Sequence, residues 1–203
     1  MLRDQKSERS RRQLLDAALD LFSHQGYRGT TIREIAEAAK LSVGNVYHHF
    51  PEKDAIFRAL LDEYWAIASS AHYPFRRALL SGDFPNNLER LGLAARESIR
   101  QYRKYFALIY VDVIEFDGTH IRKFYGDMPN RLLTLLNEGG LTEAIQGRLR
   151  PGVSPVSALL MTTRIFFNYF SLEIVFGVTE PFGKDSMEVV REISDILRNG
   201  MVV

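Results

Sequence analysis

The stretch TTIREIAEAAKLSVGNVYHHFPEK, residues 30–53, decides the fold of the N-terminal part of this chain. Thr31 and Glu34 have the spacing of a capping box, in which each side chain bonds the backbone N–H group of the other residue at a helix start. Ser42 is a second residue of the type that caps a helix N-terminus. The pattern predicts two short helices joined by a tight turn, the second of them over residues 43–48.

A longer helix precedes this stretch. Its apolar residues follow the i, i+3, i+4, i+7, i+8 spacing of a helix face, and Gly26 follows at the position of a helix C-cap. These residues are Leu14, Ala17, Ala18, Leu21 and Phe22. Three helices with a tight turn between the second and third form a helix-turn-helix unit, whose third helix enters the major groove of DNA.

The rest of the sequence has helical periodicity almost throughout. A fourth pattern begins near Lys53, and Pro74 and Gly82 interrupt or end it; whether Pro74 and Pro129 kink helices or divide them stays open. Later patterns cover roughly residues 85–102, 105–116, 119–137, 155–176 and 186–199. Convincing strand alternation is absent from the sequence. We therefore predict an all-α protein with a helix-turn-helix domain over residues 1–52 and a larger helical domain over residues 53–203.

Composition excludes several classes of protein. The chain has 203 residues, 26 Lys and Arg against 25 Asp and Glu, 46% hydrophobic residues and no cysteine. It is too apolar to be disordered, and it has no disulfides, thiolate metal sites or cysteine nucleophiles. Neither a metal-binding nor a catalytic motif occurs, so we expect no enzyme, metal or cofactor.

The chain also lacks the pattern of an exported or membrane protein. The N-terminus has no apolar run of a signal peptide, and the most apolar region, residues 153–178, is interrupted by Arg164 and Glu173. We expect a cytoplasmic protein without a membrane partner. Residues 1–12 carry five basic and two acidic residues, and this basic segment is either a set of further phosphate contacts or a solvated arm.

Residues 30–53 closely resemble the DNA-binding region of the TetR family of transcriptional regulators. The shared features are a Thr-Thr helix start, an Ile-Ala pair, a tight turn, a Tyr, a His-Phe pair and a Lys, and the resemblance covers about residues 10–60. The chain departs from the family at Lys40, where glycine is common, and at Val43, where the family often has lysine. If the turn needs a positive φ, Lys40 costs about 1 kcal/mol.

The resemblance implies contacts to the DNA backbone from Tyr47, His48 and Lys53. Free N–H groups at a helix N-terminus also attract phosphate, although a plain cap is the alternative. Bases would be contacted from the outer face of residues 42–47 and from Arg33, because Asn pairs with adenine, Arg with guanine and Val with the thymine methyl group. The predicted DNA-facing residues are Thr30, Thr31, Arg33, Ser42, Val43, Gly44, Asn45, Tyr47, His48 and Lys53.

Residues 56–203 hold 19 of the 23 aromatic residues. Most of these rings fill a core, but the resemblance implies a pocket for a small apolar or amphipathic effector. The candidate effector residues are Trp65, Arg103, Phe106, Tyr110, Asp112 and Asn168. The pattern over residues 155–176 is apolar on nearly every face, which predicts a homodimer built on this helix and the last one. The candidate interface residues are Phe166, Phe167, Phe170, Ile174, Ile193 and Leu197.

Together these features predict a ligand-responsive regulator, a repressor that a small molecule releases from a pseudo-palindromic operator. One alternative is an architectural or cell-cycle factor on the same scaffold without an inducer. Another is a small all-α enzyme or carrier that never binds DNA.

Overall fold

The computed structural model describes residues 2–81 and 83–202, with side chains from residue 5 onward; Gly82, a predicted helix break, lies outside the described residues. The first helices are α1 (Leu2–Gln25), α2 (Ile32–Ala38), α3 (Val43–His49), α4 (Lys53–Ala68), α5 (Pro74–Leu79) and α6 (Leu88–Gln101). They are followed by α7 (Arg103–Glu115), α8 (Ile121–Glu138), α9 (Thr142–Gln146), α10 (Pro155–Phe170), a π-helical turn (Ser171–Val175) and α11 (Ser186–Met201). The all-α prediction is confirmed, since the described residues contain no strand beyond one isolated bridge between Leu149 and Val202.

The two prolines differ in their effect on the helices. Pro74 occupies the first turn of α5, where its missing N–H costs nothing, so it lies after the break between α4 and α5. Pro129 lies inside α8, which continues past it. The sequence did not predict α5 and α9 because helices of six and five residues are too short to show a period.

The chain divides into two compact units. The first comprises residues 1–67 and 104–123 and therefore contains α1 to α3, nearly all of α4, and α7. Its core is built from the apolar face of α1, including Leu14 and Phe22, together with Ile35, Val46 and Phe57, all of them buried. The unit that holds the helix-turn-helix thus also includes a segment from the middle of the sequence.

The second unit comprises residues 68–103 and 124–203. Its central helix is α6, which packs against α5, α10 and α11. Gly92 permits the close approach of α6 and α10, since a Cβ atom there would lie 2.8 Å from the ring of Phe166. Arg96 of α6 donates to Glu173 at 3.0 Å and ties α6 to the π-helical turn.

One helical stretch in the second unit, Pro155–Val175, is long and apolar enough to cross a membrane by length and composition alone, with a mean hydropathy of 1.2. The same stretch supplies Phe166 and Phe170 to the core of the unit, both of them fully buried. A core helix of this kind meets the same criterion.

Candidate nucleic-acid interface

The start of α2 is fixed by the predicted capping box. The hydroxyl of Thr31 accepts from the backbone N–H of Glu34 at 3.2 Å, and the Glu34 carboxylate accepts from the backbone N–H of Thr31 at 2.7 Å. The same carboxylate accepts from the Thr31 hydroxyl at 2.8 Å, and that bond lowers the pKa of Glu34. Two of the free N–H groups at this helix end are therefore satisfied locally.

The turn between α2 and α3 has the positive φ that the sequence alone left open. Lys40 adopts a φ of 58°, and the N–H of Leu41 donates to the Ala36 carbonyl at 2.9 Å. The N-cap at Ser42 is confirmed, since its hydroxyl accepts from the N–H of Asn45 at 3.2 Å. Local capping on both sides therefore fixes the angle at which α3 leaves the turn.

The outer face of α3 is open to solvent. Tyr47 is 54% exposed and Val43 40%, and His48 is exposed beside them. At Gly44 an added Cβ would meet only the Ser42 hydroxyl, at 3.9 Å. The opposite face is closed, because Val46 is fully buried. A short helix with such an exposed face can lie against a groove of DNA.

The two predicted base-contacting residues are Asn45 on α3 and Arg33 on α2. Arg33 on α2 is exposed, and Asn45 is half-buried. The side-chain oxygen of Asn45 is buried without a hydrogen-bond partner among the described residues. A bidentate contact to adenine needs that oxygen as well as the NH₂ group, so the carboxamide has to turn outward for base recognition.

Two of the predicted DNA-facing residues, Thr30 and Lys53, form hydrogen bonds to backbone carbonyls inside the first unit. Thr30 is fully buried, and its hydroxyl donates to the Gly26 carbonyl at 2.7 Å, which places its side chain in the core of the unit and not on its surface. The ammonium of Lys53 donates to the carbonyls of Tyr27 at 2.8 Å and Thr30 at 2.7 Å. Burial lowers the pKa of Lys53, although the carboxylates of Glu115 and Glu34 act in the opposite direction.

The basic N-terminal segment is the beginning of α1 and not a loose arm. Arg11 lies over the Phe50 ring, 5.3 Å from its centroid, and Arg12 donates to the Glu63 carboxylate at 2.7 Å. Lys6 and Arg9 are exposed, whereas the side chain of Arg3 lies outside the described residues. Two of the five basic groups are therefore occupied by contacts within the protein.

The predicted effector residues are divided between the two units. Trp65, Phe106, Tyr110 and Asp112 belong to the first unit, and Arg103 and Asn168 to the second. Asp112 is fully buried, and its carboxylate bonds His120 and the N–H of Ile121. Arg103 donates to the Ile174 carbonyl at 2.9 Å. Whether the six residues bind an effector stays a prediction.

A recess of about 380 Å³ lies between α5 and α8 in the second unit. It is lined mainly by polar side chains, among them Arg76, Asp127, Asn130 and Arg131. None of the six predicted effector residues lines it. Among the described residues there is no group of three or more His, Asp or Glu side chains that could hold a metal ion.

Sequence reasoning missed the contact of Glu115 with the helix-turn-helix. One carboxylate oxygen accepts from the backbone N–H of Tyr27 at 2.9 Å, and the other accepts from that of Arg28 at 2.6 Å. The ring of Phe116 meets that of Tyr27 edge-on, with 4.5 Å between centroids. The partners are separated by 87 and 88 positions, and no local pattern indicates a contact over that distance.

Comparison with known proteins finds a family match for the helix-turn-helix region. Residues 14–60, which run from the apolar face of α1 into α4, match the family model for bacterial regulatory proteins of the tetR family. Over these residues the chain is similar to that family. The resemblance predicted from residues 30–53 is thereby confirmed.

Relatives of this chain are named as transcriptional regulators. The HTH-type transcriptional repressor KstR2 of Rhodococcus jostii (strain RHA1) is 36% identical over 110 residues, which cover 52% of this chain and 50% of that protein. A regulator in the dhlA 5′ region of Xanthobacter autotrophicus is 26% identical over 211 residues, covering 98% of this chain and 90% of that protein. The chain thus spans about half the length of the Rhodococcus repressor.

Solved structures share the fold along the whole chain. NalD, the secondary repressor of the MexAB-OprM multidrug efflux pump in Pseudomonas aeruginosa, superposes with a TM-score of 0.65 at 21% identity, covering 98% of both chains. The ketosteroid transcriptional regulator KstR2 of Mycobacterium tuberculosis gives a TM-score of 0.56 at 22% identity, covering 95% of both chains. At this level of identity the likeness shows the fold alone.

Proposed function

We propose that the chain is a DNA-binding transcriptional regulator of the TetR type, a repressor that a small molecule releases from a pseudo-palindromic operator. The exposed outer face of α3 carries this proposal. Val43 and Tyr47 leave large apolar surfaces in solvent, although α3 has only seven residues and needs tertiary contacts to persist. Apolar surface in water is unfavourable, so a face of this composition favours a binding partner that covers it. In helix-turn-helix units the third helix, here α3, is the one that enters the major groove.

Within this proposal the surface residues have separate roles. Tyr47 and His48 contact phosphates, while Asn45 and Arg33 contact base edges and Val43 meets a thymine methyl group. Thr31, Ser42 and Gly44 stay in the proposed interface, whereas Thr30 and Lys53 support it from inside.

A homodimer would present two copies of α3 to the two halves of an operator. Four of the predicted interface residues, Phe166, Phe170, Ile193 and Leu197, are buried within the subunit. Phe167 and Ile174 are partly exposed. On the same two helices Met161 is 55% exposed and Ile196 70%. The proposed interface is therefore the outward face of α10 and α11, and the buried residues shape that face from behind.

The proposed effector is an apolar or amphipathic small molecule. Residues 56–203 hold 19 of the 23 aromatic residues. Among them Phe106 on α7 is buried and packs edge-on against the ring of Tyr64. An effector acts by linkage, since it lowers DNA affinity only as far as it binds the released conformation more tightly than the DNA-bound one. We place the protein in the cytoplasm, where an operator is accessible.

Selection of bound duplexes from a random pool at a stated salt concentration tests the proposal. We expect a pseudo-palindrome, and we expect affinity to fall steeply with added salt because phosphate contacts release counterions. Enrichment of no sequence at all would contradict a role in regulating specific genes. A selected operator whose binding no class of metabolite weakens would instead favour the architectural or cell-cycle factor.

A further inference from the structure

We propose that Glu115 is a positioning residue for DNA binding, through which the end of α7 fixes the helix-turn-helix. This inference rests on the proposed DNA-binding function and adds to it the element that controls the placement of the recognition helix. Glu115 is the last residue of α7, and its carboxylate is tied to the loop between α1 and α2.

That loop is held from two sides by opposite charges. Glu115 accepts from its N–H groups at Tyr27 and Arg28, and Lys53 donates to its carbonyls at Tyr27 and Thr30. Hydrogen bonds that include a charged group are shorter and stronger than neutral ones. The backbone from which α2 starts is therefore fixed by one carboxylate and one ammonium, supplied by α7 and α4.

The contact between Glu115 and the loop is closely fitted. The Glu115 side chain is only 15% exposed. Gly26 turns with a φ of 77°, and a Cβ atom at that position would lie 2.5 Å from a carboxylate oxygen of Glu115. The guanidinium of Arg28 also donates to the backbone carbonyl of Glu115 at 3.4 Å. The missing side chain at position 26 makes room for the carboxylate.

The charge of Glu115 is unfavourable for its own helix. The C-terminus of a helix carries partial negative charge and favours basic side chains, so a carboxylate on the last residue of α7 does not stabilise that helix electrostatically. Its favourable interactions lie with the loop. Glu138, the last residue of α8, has the same unfavourable position but is exposed and lies at the polar recess.

A displacement of the end of α7 is therefore transmitted to α2 and from there to α3. The path is short: Glu115 holds the loop, the loop starts α2, and the turn at Lys40 joins α2 to α3. Hydrogen bonds to phosphate and to bases need N–H···O distances of about 2.7–3.2 Å, and they weaken steeply when the angle at the hydrogen falls below about 120°. A small shift of the loop is enough to lower DNA affinity.

The test compares Glu115→Gln with Glu138→Gln in the full chain. Glutamine keeps the size of the side chain, but its carbonyl accepts from one N–H group while its NH₂ group faces the other. We measure affinity for the selected operator and amide hydrogen exchange at Tyr27 and Arg28. We expect Glu115→Gln to weaken operator binding by about tenfold and to raise exchange at both amides, and Glu138→Gln to change neither.

Glu115→Asp is a second variant, because its side chain is one methylene shorter and loses reach without losing charge; we expect a similar loss of affinity. Faster exchange at Tyr27 and Arg28 with unchanged operator affinity in either folded variant would overturn the inference, because the contact would then be structural only. If the unmodified chain selects no operator, the proposed function fails and the positioning role fails with it. If the unmodified chain does select an operator, unchanged operator affinity in a folded Glu115 variant rejects the positioning role alone.

Discussion

The imidazole Nδ1 of His120 lies 2.6 Å from a carboxylate oxygen of Asp112, a side chain that is fully buried. The second oxygen of Asp112 accepts from the N–H of Ile121 at 3.1 Å. The Nε2 atom of His120 lies 3.3 Å from the carboxylate of Asp54 on α4. The end of α7, the start of α8 and the start of α4 thus meet at one histidine.

This arrangement predicts that Asp112→Asn destabilises the protein. A buried carboxylate with satisfied partners becomes an amide whose NH₂ group faces a donor, at a cost of about 2–3 kcal/mol. Denaturant unfolding measures the change. Asp117→Asn is the matched control, because Asp117 is exposed with a φ of 53° and asparagine tolerates that conformation. An Asp112→Asn protein of normal stability that no longer responds to effector would assign Asp112 to the ligand instead.

Lys53→Met should reduce both stability and DNA affinity. The substitution keeps an apolar stem of similar length but leaves the carbonyls of Tyr27 and Thr30 without their donor, which costs about 1–3 kcal/mol. Affinity should fall because the displaced loop shifts α2 and α3, and with them their contacts to phosphates and bases. Lys123→Met, at an exposed position of the same unit, should leave unfolding and binding unchanged. Loss of binding with full stability would show a direct phosphate contact.

Asn45→Ala should relax the preference at one position of the operator by about 1–3 kcal/mol. Binding to a panel of single-base operator variants measures this, with thermal unfolding as the check on folding. Tyr47→Ala is the comparison, because the loss of a phosphate contact lowers affinity for all sequences by a similar factor. A uniform loss of affinity in Asn45→Ala would contradict its role in base recognition.

Ile196→Lys should shift the protein toward the monomer and weaken operator binding. Ile196 is 70% exposed on α11, so the substitution leaves the core of the subunit intact while a lysine in an apolar interface loses hydration. Sedimentation at several concentrations measures the association. Ile114→Lys is the control, since Ile114 is 77% exposed on α7. If both variants self-associate as strongly as the unmodified protein does, the interface lies elsewhere.

The sequence by itself determined the helices and the turn that define the helix-turn-helix. The capping box at Thr31 and Glu34 and the N-cap at Ser42 both involve groups within three residues of one another. Interactions of that range depend on residue type and spacing alone, so a pattern of letters predicts them.

Only the tertiary structure decided what several polar side chains do. The roles of Lys53 as a phosphate contact and of Asp112 as an effector residue stay predictions. In the structure Lys53 bonds backbone carbonyls 23 and 26 positions away, and Asp112 bonds His120 across a turn. Glu115 reaches Tyr27 over 88 positions. A charged side chain has many possible partners of the same chemistry, and which one it meets depends on how helices distant in sequence pack together. Periodicity shows which face of a helix is buried, but it does not specify the helix that covers that face.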